Sequence, residues 1–282
     1  MTQRYSLDPA MPVLLRPDGA VQVGWDPRRA VLVRPPGGLT AEALAQVLRT
    51  MRSNVRVGDL HREAVRHGRV DVAEVAQLVD ALVDAGVARP GAATAEGRAA
   101  SIRVHGRGPL SDVLMDTLRG TGVRVSHSSA PHAVVRREHT DLVVFSDYLI
   151  ADPRLVRDLH EARIAHLVVR VRDGTGLVGP LVIPGVTSCL ACADLHRSDR
   201  DAAWPALAAQ LRDTVGVADH STVLATAALA LGQVQAVVQA VRSSEDRPAP
   251  AAPSTLSATL EFDVAAGSIV ARHWPRHPRC AC

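Results

Sequence analysis

Lysine is missing from this chain: all 32 residues in its Lys+Arg count are arginine. The compact ammonium that many proteins place on transferring phosphates is therefore unavailable. Arginine supplies the charge, but not as a point charge in the same geometry. Aromatic residues are scarce, with three tryptophans, two tyrosines and two phenylalanines in 282 residues. Hydrophobic residues still make up 47% of the chain, so the core must be built from Leu, Val, Ala and Ile. No strong charge imbalance exists, since the formal net charge is +3. Nothing in that balance calls for nucleic acid or a membrane surface. The opening MTQRYSLDPAMP has no basic start followed by an apolar run, so it does not read as a signal peptide and the expected compartment is the cytoplasm. The one long uncharged stretch, Val223 to Val241, is of membrane length, but Gln233, Gln235 and Gln239 interrupt it. It reads as a buried core helix.

Cysteine is equally sparse, and its placement is the strongest signal present. Cys189 and Cys192 form a C-x-x-C; Cys280 and Cys282 form a C-x-C; there are no others. Two close pairs far apart in sequence are how a chain builds a tetrahedral thiolate site for zinc. Disulfides are disfavoured in a reducing compartment, which strengthens the metal reading. Buried free thiols and a catalytic thiol are the competing readings. His196, His273 and His277 lie near enough in sequence to compete as ligands.

The length allows one large domain or two modest ones. Residues 1–90 read as a small unit. Two apolar runs flank Asp18-Gly19, a tight-turn pair, and predict a hairpin. A third strand is expected at Ala30 to Arg34. Three helices follow: one capped by Thr40 and running to about Met51, one at Val57 to His67, and one started by Asp71 and ended at Gly86. The last turns Val72, Val75, Leu78, Val79 and Leu82 to one face. Three strands and three helices of this size predict a winged-helix-like module. Residues 91–100 are small and polar and read as a linker.

Beyond it, strands and helices alternate, which predicts an α/β domain over 101–282 with a parallel, Rossmann-like sheet. Strands are expected at Ser101–His105, Gly122–Ser126, Asp141–Ser146 and His166–Val171, and a hairpin over Gly174–Pro184. Helices are expected at Leu110–Leu118, Pro153–Arg163, Arg197–Arg212 and 220–242. Ser243–Pro253 reads as a second linker, and two strands, near 255–263 and 267–273, lead to the last cysteines. Gly106-Arg107-Gly108 stands where a nucleotide-binding turn would be, but Ser111 holds the third glycine position. The next strand, VRVSHSSA, offers no acidic residue for a ribose. A sheet turn without nucleotide is the favoured reading. Asp147, after DLVVFS, sits where such sheets direct ligand-facing residues; without a nucleotide turn it reads as a relic or a cap.

The segment 178–205, VGPLVIPGVTSCLACADLHRSDRDAAWP, resembles the knuckle of ThiF-like, ubiquitin-activating-type proteins, with its G-P-x-x-x-P-G-x-x-x-C-x-x-C. The following D-L-H-R-x-x-R-D-x-x-W-P and the ending H-W-P-x-H-P-x-C-x-C resemble more narrowly the ThiF-like TOMM precursor leader-peptide-binding proteins. These are also called cyclodehydratase C-components or ocin-ThiF-like partners of YcaO enzymes. The resemblance implies an N-terminal RiPP recognition element that takes the leader of a ribosomal precursor as an added strand. It also implies a YcaO-type cyclodehydratase partner that uses ATP to form azolines, and structural zinc on Cys189, Cys192, Cys280 and Cys282. A homodimer is compatible with it, because ThiF-like domains commonly pair. An added strand needs an open edge and a groove. The candidates are Val31, Leu32, Val33 and Arg34 with the helix face Val72, Val75, Leu78, Val79 and Leu82. Arg28, Arg29 and Arg34 are placed to meet acidic leader residues or to lie as solvated surface.

With no lysine and an incomplete turn, the chain is expected to be non-catalytic and to use no ATP. The alternative is an ATP-dependent ThiF-type adenylyltransferase acting on a peptide or carrier-protein C-terminus. A third reading, a zinc-stabilised DNA-binding protein, is disfavoured because residues 71–85 carry Asp71, Glu74, Asp80 and Asp84 and no basic residue. Asp194, His196, Arg197, Asp199, Arg200 and Asp201 read as a helix-start charge cluster, or else as a network holding the knuckle or meeting a partner.

Overall fold

The computed structural model describes residues 3–91, 98–130, 137–242 and 252–282. The chain divides into two compact units, Met1–Glu96 and Gly97–Cys282. Most of both expected linkers, 91–100 and 243–253, lies outside the described residues.

In the first unit, β2 (Val13–Leu15), β3 (Val21–Val23) and β4 (Val31–Val33) form an antiparallel sheet in that order. Gly19 takes φ +77°, the left-handed conformation that the tight Asp18-Gly19 turn requires. Three more strands were not legible in the sequence: β1 (Arg4–Leu7), β5 (Val55–Arg56) and β6 (Ala88–Gly91), which pair in the order β5-β1-β6. They are short, and β6 reads Ala-Arg-Pro-Gly, so no alternation announces them. The helices are α1 (Ala41–Thr50), α2 (Val57–Val65) and α3 (Val72–Asp84). Thr40 Oγ1 accepts from Ala43 N at 3.2 Å. Asp71 accepts from Ala73 N, while Glu74 accepts from Asp71 N at 2.8 Å, a complete capping box. Leu44, Leu48, Leu60, Val75, Val79 and Leu82 from the three helices meet Val21 and Val23 in one aliphatic core.

The second unit is a mixed α/β domain around a seven-stranded sheet, in the order β13-β12-β11-β10-β9-β7-β8. β7 (Ser101–His105), β8 (Arg124–Ser128), β9 (Leu142–Ser146) and β10 (Ala165–Arg172) are parallel. β11 (Thr175–Val182), β12 (Ala258–Asp263) and β13 (Ser268–His273) are antiparallel. The expected parallel arrangement holds for four strands, and the turn at Asp173-Gly174 then reverses the chain directly into the antiparallel half. Gly174–Pro184 is not a hairpin of its own; β11 is the returning arm of a hairpin with β10. The helices are α4 (Pro109–Arg119), α5 (Pro153–Glu161), α6 (Leu190–Arg200), α7 (Trp204–Leu211) and α8 (His220–Arg242).

Period-two alternation divides the strands between two cores. Leu142, Val144, Leu167 and Val169 face α4 and α8, while Val143, Phe145 and Val168 face α5. α8 is long and apolar enough by composition to cross a membrane. Its face of Val223, Ala227, Ala230, Val234 and Val238 belongs to the sheet core. The single helix expected at Arg197–Arg212 is instead two. α6 starts earlier, directly after Cys189, and stops at Asp201, whose backbone is extended. Asp201 Oδ1 then receives Ala203 N at 2.9 Å, turning the chain into α7 with Pro205 in its first turn.

Candidate functional site

Two places in the second unit carry chemistry. The first is the crevice between β7 and β9, where the strand order reverses and such sheets bind ligands. Gly106 and Gly108 make the turn from β7 into α4. A Cβ on Gly106 would lie 2.1 Å from the Ser146 carbonyl oxygen, and Gly108 takes φ +153°. Here glycine is required for close packing of β7 on β9, independent of any ligand. The start of α4 is filled from within. Asp147, only 2% exposed, follows β9 with φ +70° and turns its carboxylate onto the helix. Oδ1 accepts from Leu110 N at 2.9 Å and Oδ2 from Ser111 N at 3.0 Å. The Ser111 hydroxyl also donates to Oδ2 and meets Ser146 Oγ at 2.8 Å. Those backbone N–H groups are the ones a nucleotide phosphate would use. Of the two sequence readings of Asp147, the structure shows the cap.

The second place is the cysteine cluster. Cys189 stands at the start of α6 and Cys192 one turn into it; Cys280 and Cys282 come from the chain's last residues. The sulfurs all lie within 4.8 Å of one another, with Cys189–Cys192 at 3.8 Å, Cys189–Cys280 at 3.6 Å and Cys192–Cys282 at 3.4 Å. A tetrahedral zinc with Zn–S of about 2.3 Å holds its sulfurs about 3.8 Å apart, so the four thiols fit such an ion. Burial pushes the Cys189 thiol well up. Burial also works against the Cys192 thiolate, but N–H groups of His277 and Cys189 and the neighbouring thiols bring it down to about 7.

The histidines that compete on sequence spacing are committed elsewhere. His277, buried, pairs with Asp199 Oδ2 at 2.8 Å and accepts Arg279 N at 3.1 Å. His196 faces the Pro275 carbonyl at 3.1 Å, and His273 is exposed on β13. The polar run after the knuckle therefore ties α6 to the tail. Asp199 holds both His277 and Arg279. Asp194 holds Arg197 at 2.9 Å and Trp204 Nε1 at 3.2 Å. The Arg197 guanidinium lies over both Trp204 and Trp274, 5.0 and 4.9 Å from the ring centres.

In the first unit, β4 pairs only with β3, so its outer edge is open among the described residues. Leu32 is 57% exposed, and Val31 and Val33 turn toward the core. Arg28, Arg29 and Arg34 are exposed. On α3, Val75, Val79 and Leu82 are each 1% exposed and packed in the core. Val72, 48% exposed, and Leu78, partly buried, remain accessible.

Neither a family model nor a curated protein matches the sequence. Solved structures do. A heterocyclase in complex with substrate and cofactor superposes with a TM-score of 0.70 at 16% identity, and the heterocyclase TruD with 0.67 at 17%. Each alignment covers 99% of this chain but only 39% and 42% of those chains, so this chain spans about two-fifths of their length. MccB of E. coli, solved with ATP, superposes with 0.61 at 12% identity and is covered to 99% in both chains. The fold is shared. At these identities the likeness speaks for the fold alone.

Proposed function

We propose that this chain binds the leader of a ribosomal precursor peptide and presents it to a separate YcaO-type cyclodehydratase, without carrying out chemistry itself. The observation that carries the reading is the open outer edge of β4, with exposed Leu32 and the nearby arginines Arg28, Arg29 and Arg34. An extended peptide pairing there would gain backbone hydrogen bonds from Leu32, whose N–H and C=O face away from β3. Val72 and Leu78 on α3 are the side chains assigned to its apolar residues. On this reading residues 1–90 are a winged-helix-like recognition module, and 101–282 a ThiF-like domain with structural zinc on the four cysteines. The protein works in the cytoplasm, with a homodimer compatible, and neither nucleic acid nor a membrane is a partner. The likeness to heterocyclase chains supports the setting, azoline formation on a peptide.

The ATP-dependent adenylyltransferase is the second reading, favoured by the full-length likeness to MccB. Asp147 argues against it. A carboxylate already saturating Leu110 N and Ser111 N repels a phosphate from the same helix start. The chain also has no lysine to offset that repulsion.

Fluorescence anisotropy of the full chain with the labelled leader encoded beside a YcaO-type gene tests the proposal. Binding should weaken about tenfold or more for Leu32→Pro, which removes the N–H that faces the open edge, and duplex DNA should not compete at moderate salt. No leader binding, or binding indifferent to Leu32→Pro, rejects the presenter role. Carboxylate-dependent exchange of pyrophosphate into ATP by the purified chain would instead establish the second reading.

A further inference from the structure

Beside the cysteine cluster lies a cleft of about 470 Å³, within the range of small-molecule sites. α5, β10, α6, α7 and the tail wall it, and its lining is mainly aliphatic: Ile150, Val156, Val168, Leu190, Pro205 and Ala208 among others. Neither the leader-binding edge nor the closed β7/β9 crevice uses it.

Apart from the cysteines, the ionisable side chains around this cleft are mostly positive. Arg157, Arg170, Arg197 and Arg212 line it, against one side-chain carboxylate, Asp194. Asp194 is already bound to Arg197. Arg157 and Arg212 are exposed and solvated. Arg170 is different. It projects from a central strand, and among the described residues its hydrogen bond is to the Leu149 carbonyl, with no carboxylate at ion-pair distance. Burial, followed by the neighbouring Arg197, lowers it to about 10, so it is still charged at neutral pH. An enclosed guanidinium without a counter-ion is costly unless an anion completes it. His160 stands in the same wall with Nε2 buried and without a partner.

We propose that this cleft is a binding site for a small apolar acid, an aliphatic or aromatic body bearing one carboxylate, which meets Arg170 while the body fills the aliphatic wall. Among the described residues, Arg170 is the one lining arginine that is neither exposed nor at ion-pair distance from a carboxylate, and the aliphatic lining around it fits an anion with an apolar body better than a polyphosphate or an acidic peptide.

Calorimetric titration of the full chain with hexanoate, octanoate and 3-phenylpropanoate, each against its corresponding alcohol, tests this. At least one acid should bind at one per chain, about tenfold or more tighter than its alcohol. Arg170→Gln should erase the preference for acid over alcohol. Ala208→Trp, which fills the cleft from α7, should remove binding of both, and it keeps the test decisive if Arg170→Gln does not fold. The proposal is overturned if no acid binds more tightly than its alcohol, or if binding survives both substitutions. It is equally overturned if only an acidic peptide binds and the free acids do not.

Discussion

The two units are closed by different kinds of tie. In the first, helix ends are secured by residues a few positions away: Thr40 on α1, and Asp71 with Glu74 on α3. In the second, the decisive ties come from far along the chain: Asp147 on the start of α4, the tail cysteines on α6, Asp199 on His277. Local ties stabilise one element each. Remote ties fix the relation between elements, so losing one disturbs the whole unit. The comparison teaches that a domain can keep the outline of a nucleotide-binding sheet while its ligand-facing helix start is turned inward and made part of the packing.

The largest effect is expected at the cysteines. Cys280→Ser should release a metal ion and abolish cooperative unfolding of the second unit, since a structural zinc contributes about 10 kcal/mol or more to folding. Calorimetry with a zinc-sensitive dye reads both events. If the second unit unfolds unchanged and no ion is released, the cluster is a set of packed thiols and the remote tie is weaker than argued here.

Asp147→Ala comes next. It orphans Leu110 N and Ser111 N in a buried place and should cost roughly 3 kcal/mol in urea denaturation. The comparison is sharpened by ATP: if the opened helix start gains no ATP binding by equilibrium dialysis, Asp147 serves the fold alone. Gained binding would show that it blocks a site still otherwise complete.

Acid should separate the units as well. His166 is fully buried, and burial lowers it from 6.5 to about 4. It packs against His160 and Phe145, and its Nδ1 faces the Ile164 carbonyl at 3.1 Å. Above pH 6.5 both folded and unfolded forms hold it neutral. As pH falls from there to about 4, only the unfolded chain takes up the proton, and stability is lost by up to roughly 3 kcal/mol. Burial lowers His105 and His160 too, in the same direction. Urea melts at pH 7 and pH 4.5 should show the second unit weakening more than the first. Equal weakening would place the acid-sensitive groups elsewhere.

The smallest effect belongs to a local tie. Asp71→Ala should cost about 1 kcal/mol, confined to the first unit. A loss as large as that of Asp147→Ala would erase the distinction drawn between the two kinds of tie.

The same distinction explains what the sequence made legible. Asp71 with Glu74, Asp18-Gly19 and the alternation of Leu142 to Phe145 are local patterns, and the corresponding helix, hairpin and strand all form. The cysteine spacing disclosed a cluster because four like residues have few other uses. What stayed hidden depends on distant partners. β1, β5 and β6 are too short to show a period, and they exist because β1 pairs with both of the others. The antiparallel half of the sheet follows from one tight turn after β10. Arg170 looks like any strand arginine, and only the packed sheet shows that no carboxylate reaches it.

The cysteine cluster has a further consequence. It joins residues 189–192 to 280–282, so everything between, including α8, β12 and β13, forms a loop pinned at both ends. A protease cut between α8 and β12 would leave two fragments held together like the halves of a clasp. β12 would still pair with β11 and His277 with Asp199, so removing a metal held by the four thiols would loosen the two pieces without parting them.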